Sequence, residues 1–288
     1  MKHAAALHVL GILLACASAT AGAQAYDGPE SVEYHARLDR HLVGNTGGPI
    51  LTRAADGTLG VFTEATASPY GIELLGGTLF VLDSGRLKGF DIDSAAPVLD
   101  FAIAGASFLN GITSDGSRTI YISDFSARKI HRIDVADLAA PVAGTPLSTG
   151  SATPNGLVFD GASQRVLVAT WGPNAKILSF AADSEAAPAP LIETTLSNID
   201  GIALDCRGAI VVAAWGGCGI AGGCLARFDP PFAMESPFTL LAQGLSNPAD
   251  IDFGRASGEI GVPESGNDEV SLHATGCEAA VFGDDFER

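Results

Sequence analysis

Pro154-Asn155-Gly156-Leu157-Val158-Phe159-Asp160 recurs in shortened form along almost the whole chain. Pro69-Tyr70-Gly71-Ile72, Leu109-Asn110-Gly111-Ile112, Ile199-Asp200-Gly201-Ile202 and Pro248-Ala249-Asp250-Ile251 keep its order, and Pro29-Glu30-Ser31-Val32 is an earlier, looser copy. The third residue of each copy stands at 31, 71, 111, 156, 201 and 250, so the copies lie 40 to 49 residues apart. That spacing marks a propeller or solenoid, in which each repeat is one supersecondary unit that must stack on its neighbours to bury its apolar faces.

Each repeat divides into four short apolar runs with turn residues between them, the layout of a four-stranded antiparallel blade. In the second repeat the runs are 71–75, 78–82, 87–92 and 97–103, and in the third 111–114, 119–123, 129–133 and about 141–147. Runs of four to seven residues rich in Ile, Val, Phe and Tyr are too short for ordinary helices. Blade one spans 31–64, with outer strands at 51–54 and 59–63 around Asp56-Gly57. Blade four holds 165–169 and 176–180, and blade five 209–213 and 225–228. Blade six starts at Asp250 and continues through 259–262 and 269–273, so its outer strand must come from 278–282 or be absent. The expected fold is an all-β, six-bladed β-propeller over 29–283. In such a ring every innermost strand begins at one rim, and the residues just before it converge on the central channel.

Charged residues make up only 17% of the chain and Gly numbers 35, a composition suited to short strands and tight turns. The formal charge of -17, with 16 scattered basic residues, excludes nucleic acid and anionic membrane partners, which need clustered Lys and Arg. Lys2, the apolar run 4–15 and the small residues up to Ala23 read as a secretory signal peptide over 1–23, too short to span a membrane as a retained helix. Cys16 after Leu13-Leu14-Ala15 offers the alternative of a lipoprotein anchor. Residues 24–28 form a linker and 284–288 an acidic tail.

Without Cys16, four cysteines remain in a chain read as secreted or periplasmic, enough for two disulfides with three connectivities. Cys218 and Cys224 flank one short loop and are expected to pair, leaving Cys206 for Cys277. A zinc site is the rival reading, but no histidine lies near these cysteines in the sequence.

Through the six copies, the residue before the glycine position is Glu30, Tyr70, Asn110, Asn155, Asp200 and Ala249. Two carboxylates and two amides facing one channel make a hard-oxygen set suited to calcium or another divalent cation. Asn-Gly and Asp-Gly are also common turn formers. Turn pairs of that kind occur elsewhere in the repeats, at Asp56-Gly57 and Asp115-Gly116, whereas these four share one register at the start of an inner strand.

From Pro29 to about His273 these repeats resemble the six-bladed propellers of the gluconolactonase, regucalcin and luciferin-regenerating-enzyme superfamily, with paraoxonases as more distant relatives. The resemblance implies that Glu30 from blade one, Asn155 from blade four and Asp200 from blade five bind a divalent metal, Ca2+ first and Mn2+ or Zn2+ as alternatives. It implies that Asn110 contacts the substrate or a water. Glu33 is the rival to Glu30, because the family has Glu followed by Pro and Trp whereas here Pro29 precedes Glu30. The implied activity is hydrolysis of a small-molecule lactone or related ester, with Asp200 as general base. Sugar-lactone members place an Arg shortly before the third-blade Asn; here stand Ser107, Phe108 and Leu109, which argues against a polyhydroxylated acid lactone. The alternative function is a non-catalytic ligand- or protein-binding propeller with a structural metal, since propellers host many functions.

Trp171-Gly172 and Trp215-Gly216 end the second strands of blades four and five at the channel-mouth rim, either as an apolar wall for a ligand or as inter-blade packing. Asn45, Asp83, Asp124 and Glu264 hold the corresponding position in the other blades, either behind the site residues or as solvated loop residues.

Overall fold

The computed structural model describes residues 24–278, so the expected signal peptide, Cys16 and the tail 284–288 lie outside the described residues. Alternation along each strand builds the ring. In blade four, Val166 and Val168 pack against Tyr121 and Ile130 of blade three, while Leu167 and Ala169 pack against Ile210 and Val212 of blade five. In blade five, Val211 and Ala213 turn the other way, onto Ile260 and Val262 of blade six. A strand with side chains on both faces thus feeds two apolar layers, which is why these runs are apolar at nearly every position. The result is six antiparallel sheets in chain order around a channel, with one 3-10 turn, Ala36–Leu38, among the described residues.

The inner strands are Pro29–His35, Pro69–Leu75, Leu109–Ser114, Thr153–Asp160, Ser197–Leu204 and the short Asp252–Gly254. The second strands, which follow them, are Arg40–Asn45, Thr78–Asp83, Thr119–Asp124, Arg165–Trp171, Ile210–Gly216 and Glu259–Glu264. Blade three departs from the plain pattern, its outer edge being split into Val142–Ala143 and Leu147–Ser148, both paired with the third strand. Blade six has three strands among the described residues, and most of the expected outer strand at 278–282 lies outside them.

The recurring glycine is a packing residue. A Cβ on Gly156 would stand 2.5 Å from the Asp200 carbonyl oxygen and 3.0 Å from Gly201 Cα, and one on Gly201 would stand 2.6 Å from the Ala249 carbonyl oxygen. Gly71 meets the Asn110 carbonyl and Gly111 the Asn155 carbonyl in the same way. Each blade's glycine therefore lies against the peptide that carries the next blade's channel residue. None of the four has a positive φ, so close approach of neighbouring strands, not a turn, is what excludes a side chain. Gly156→Ala is expected to cost about 1–3 kcal/mol in urea unfolding, the usual toll of overpacking against backbone. Gly161→Ala, whose Cβ would meet nothing nearer than 3.7 Å, serves as the tolerated control. Equal stability of the two variants would remove the close-approach explanation.

A bulge accompanies each glycine. Between the pairs Pro154↔Thr170 and Leu157↔Val168 the inner strand advances three residues while its partner advances two, and blades two, three and five repeat this offset. Blade one carries a register shift between Pro29 and Ser31. Bulges bend the strand locally and re-aim a side chain. Here they fall on the residue before the glycine, at the start of the strand.

The ring closes without a glycine. Ser31 takes that position in blade one and its hydroxyl donates to the Tyr70 carbonyl, while Asp250 takes it in blade six and its N–H donates to the Glu30 carbonyl at 2.9 Å. Ser31 and Asp250 form a parallel bridge across the seam. The apolar layer there is the smallest of the six, built on Val32, Val43 and Val270. Both expected disulfides are present, Cys218–Cys224 within blade five and Cys206–Cys277 tying blade five to the end of blade six.

Candidate functional site

The bulged positions bring Glu30, Asn155 and Asp200 to one mouth of the channel, with Tyr70 beside Glu30. Asn155 and Asp200 are 1% and 4% exposed, and Asn110 is 7% exposed. Asn155 Oδ1 and Asp200 Oδ1 are both buried with no hydrogen-bond partner among the described residues. Two adjacent orphaned oxygens of this kind are costly unless a donor or a cation satisfies them. Trp215 stands against Asp200, but its indole N–H is spent on the Pro248 carbonyl at 3.0 Å.

Burial dominates the electrostatics. It pushes the Asp200 carboxyl up to about 7, even though the Asn155 amide and the Trp215 indole pull it back. Glu30 rises well above the usual carboxylate range through burial first, then through the charges of Asp200 and Asp250. Asp250 is raised by burial and by Asp200, Asp252 and Glu73. These carboxylates resist sharing negative charge, and a cation among them would relieve that resistance.

A second group of carboxylates sits deeper in the channel. Glu33, Glu73, Asp250 and Asp252 line a cavity of about 40 Å³ together with Thr113. Glu73 is pushed up to about 8 and Asp252 to about 6, burial being the main cause in both; Ser114 pulls Glu73 back and the Tyr34 N–H, 2.8 Å from Asp252, pulls the latter back. Glu33 is raised by burial, then by Asp252 and Glu73. Glu33 therefore belongs to this deeper level, while Glu30 faces Asp200. Asp250, Glu73 and Asp252 were not singled out from the sequence. For Asp250 a signal existed: it is the one copy whose glycine position is acidic.

Asn45, Asp83 and Asp124 are fully buried and Glu264 is 7% exposed, which corrects the reading of these four as solvated loop residues. Each accepts backbone N–H groups from the loop entering its blade's inner strand. Asp83 takes those of Ala67 and Ser68, and Asp124 those of Ser107 and Phe108. Asn45 takes that of Asp27 and Glu264 that of Ser246. In this way the end of the second strand fixes the approach to the bulge. Blades four and five place Trp171 and Trp215 there, and Asn198 of blade five accepts the Gly172 N–H of blade four at 3.1 Å.

The chain is thus a six-bladed β-propeller with buried carboxylate and amide oxygens gathered at one channel mouth. Among solved structures it is similar to a gluconolactonase from Xanthomonas campestris, with 18% identity and a TM-score of 0.64 over 83% of this chain and 84% of that one. A second protein assigned as a gluconolactonase gives 16% identity and a TM-score of 0.64 over 87% and 89%. A chain of a nidogen–laminin complex gives 14% identity and 0.62 over 82% and 92%. At these identities the likeness carries the fold. No protein-family model and no curated protein matches the sequence.

Proposed function

We propose that the channel mouth binds a divalent cation, Ca2+ foremost, through Glu30, Asn155 and Asp200, and hydrolyses a lactone or related ester. The observation that carries this reading is the pair of buried, unpartnered oxygens on Asn155 and Asp200 beside Glu30, whose ionisation burial and Asp200 oppose. That donor set is all hard oxygen, as calcium and its relatives require. Bound there, the cation would supply Lewis-acid polarisation of the ester carbonyl. Asp200, at the centre of the set, accepts a proton from water as the water oxygen bonds to the carbonyl carbon, and returns it to the alkoxide as the ring C–O bond breaks. Asn110, at the same register in blade three, holds the substrate oxygen or that water. The gluconolactonase likeness supports the reaction class, and two disulfides fit a secreted or periplasmic setting. No helix among the described residues is long and apolar enough to cross a membrane.

The test is a panel of lactones assayed with chelator and with Ca2+, Mn2+ or Zn2+ added back, parent against Asp200→Ala. Cation-dependent turnover that falls at least a hundredfold in the variant is expected, within the usual range for loss of a catalytic group. Cation binding without turnover of any lactone would replace this reading with a ligand-binding propeller holding a structural metal. Equal rates for parent and variant would remove Asp200 from the chemistry.

A further inference from the structure

Five aromatic rings form a continuous arc along the channel mouth. Tyr70 meets Phe108 edge-on with centroids 4.9 Å apart, Phe108 meets Phe125 at 5.6 Å, Phe125 meets Trp171 at 5.9 Å, and Trp171 meets Trp215 at 4.9 Å. Both ends rest on site carboxylates, Tyr70 within the influence of Glu30 and Trp215 against Asp200. The arc spans blades two to five and leaves the side of blades six and one without an aromatic member. Trp171 also borders a cavity of about 320 Å³ with a mixed lining, Thr149, Ser151, Asn174 and Lys176 on one hand and Pro188 and Pro190 on the other, room for a substituent.

Phe80 and Phe90, at 1% exposure, and Phe228, at 0%, are sealed inside the blades, whereas all five members of the arc are half-buried. Phe62, Phe101 and Phe159 are half-buried as well, each against a core cluster; the arc differs in running ring to ring from blade two to blade five. The wall has few polar atoms for a hydroxyl-rich ligand: Phe108 and Phe125 carry none and Trp215 has committed its N–H to Pro248, which leaves the Tyr70 hydroxyl and the Trp171 indole N–H. A hydroxyl buried there without a partner is disfavoured. An anionic group would lie beside the acidic side chains of Glu30, Asp200 and Asp250. Lys88, at the same rim, is held by Asp83 at 2.5 Å.

We propose that this arc is the recognition wall of the site and selects an uncharged lactone or ester bearing an aryl or alkyl group over a polyhydroxylated or anionic one. The proposal rests on the hydrolase reading for its substrate's reactive group, and on the arc for the rest. Large flat rings held by their neighbours give an apolar ligand much contact area at small ordering cost.

The chain has two tryptophans and both lie in the arc, so their fluorescence reports on this wall. Titration with 2-phenyltetrahydrofuran, a ring ether with no ester to cleave, is expected to change that fluorescence saturably, and tetrahydrofuran is expected not to. In steady-state assays Phe125→Ala and Trp171→Ala are each expected to raise KM for γ-phenyl-γ-butyrolactone about tenfold with kcat unchanged, because the lost contact is made equally in ground and transition states. KM for unsubstituted γ-butyrolactone should stay put, which a loss of structure would not allow, and Phe125→Ala carries the test if Trp171→Ala does not fold. Saturable binding of the phenyl ether with no lactone cleaved would leave the wall standing and remove the hydrolase reading. Cleavage that favours glucono-δ-lactone, or a phenyl-lactone KM indifferent to both variants, would overturn the wall and leave the hydrolase reading in place. A flat fluorescence titration would likewise overturn it.

Discussion

In chelator, the folded protein is expected to lose stability steadily as the pH is raised from about 4 to about 8, and saturating Ca2+ is expected to flatten that slope. Six channel carboxylates have their protonation raised on folding: Glu30, Glu33 and Asp250 well above the usual range, Asp252 to about 6, Asp200 to about 7 and Glu73 to about 8. Burial is the first cause in every case, and mutual repulsion adds to it in Glu30, Glu33, Glu73 and Asp250. A carboxyl raised on folding holds its proton more tightly in the folded state. Its stabilising contribution is complete below the unfolded value near 4 and is lost as pH climbs through the folded value. Because the six interact, their protons come off as a coupled set across that window, and the slope of stability on pH is the quantity to read. Surface carboxylates act in the opposite sense. Asp115, although partly desolvated, is drawn down to about 2 by the N–H groups of Thr119, Arg118 and Ser117, and contributes stability that is lost only as pH falls below about 4. The cation-free optimum should therefore lie near pH 4 to 5. A cation bound by Glu30, Asn155 and Asp200 favours the ionised forms and adds about 2.7 kcal/mol at a hundred times its Kd. Urea unfolding at five pH values, with chelator and with Ca2+, measures both slopes. A slope unchanged by Ca2+, Mn2+ and Zn2+ alike would rule out a cation at this mouth.

The positions that escaped the sequence reading show what a repeat pattern conveys. Blade boundaries were legible to within about two residues, because a strand that feeds two apolar layers announces itself at every position: the run read at 78–82 is observed as Thr78–Asp83, and that at 129–133 as Lys129–Asp134. The register of Asn110, Asn155 and Asp200 was legible because the glycine beside each is fixed by contact with the next blade, and that of Glu30 because Ser31, at the same position, touches the Tyr70 carbonyl. The deeper carboxylates were not. Glu73 and Asp252 lie two residues past the glycine position, on the channel-facing side of strands whose other residues are apolar, and without the ring an isolated acid there looks like an ordinary exposed strand residue. Asp83 and Asp124 were misread because the partners that bury them, loop N–H groups some 15 to 17 residues upstream, are brought to them only by folding. The arc of aromatics was half legible, Trp171 and Trp215 by their matching strand ends. Tyr70, Phe108 and Phe125 join them only through the curvature of the rim.

Removing Cys206–Cys277 by paired serine substitution is expected to cost about 4 kcal/mol in urea unfolding, against about 2 kcal/mol for the Cys218–Cys224 pair. The difference follows from loop length, 71 residues against 6, when a cross-link acts by restricting the unfolded chain. Location reinforces it. The seam between blades six and one has the thinnest apolar layer, and blade six has three strands among the described residues, so this blade has the least of its own to hold it in place. Cys277 fastens its last described segment to blade five, where Arg207 and Arg227 also donate to the Thr275 carbonyl at 2.7 and 3.1 Å, and buried Asp205 holds Arg227 at 3.2 Å. Without the disulfide, those hydrogen bonds must keep blade six docked unaided. Limited proteolysis of the Cys206→Ser, Cys277→Ser protein should then cut first within blade six, while the Cys218→Ser, Cys224→Ser protein should resist as the parent does. Because Asp250 at the site's edge belongs to blade six, release of that blade should also weaken cation binding, whereas opening the small loop in blade five should not. Equal losses from the two pairs, or first cleavage in another blade, would show that the ring is held closed by its apolar layers and not by this tie.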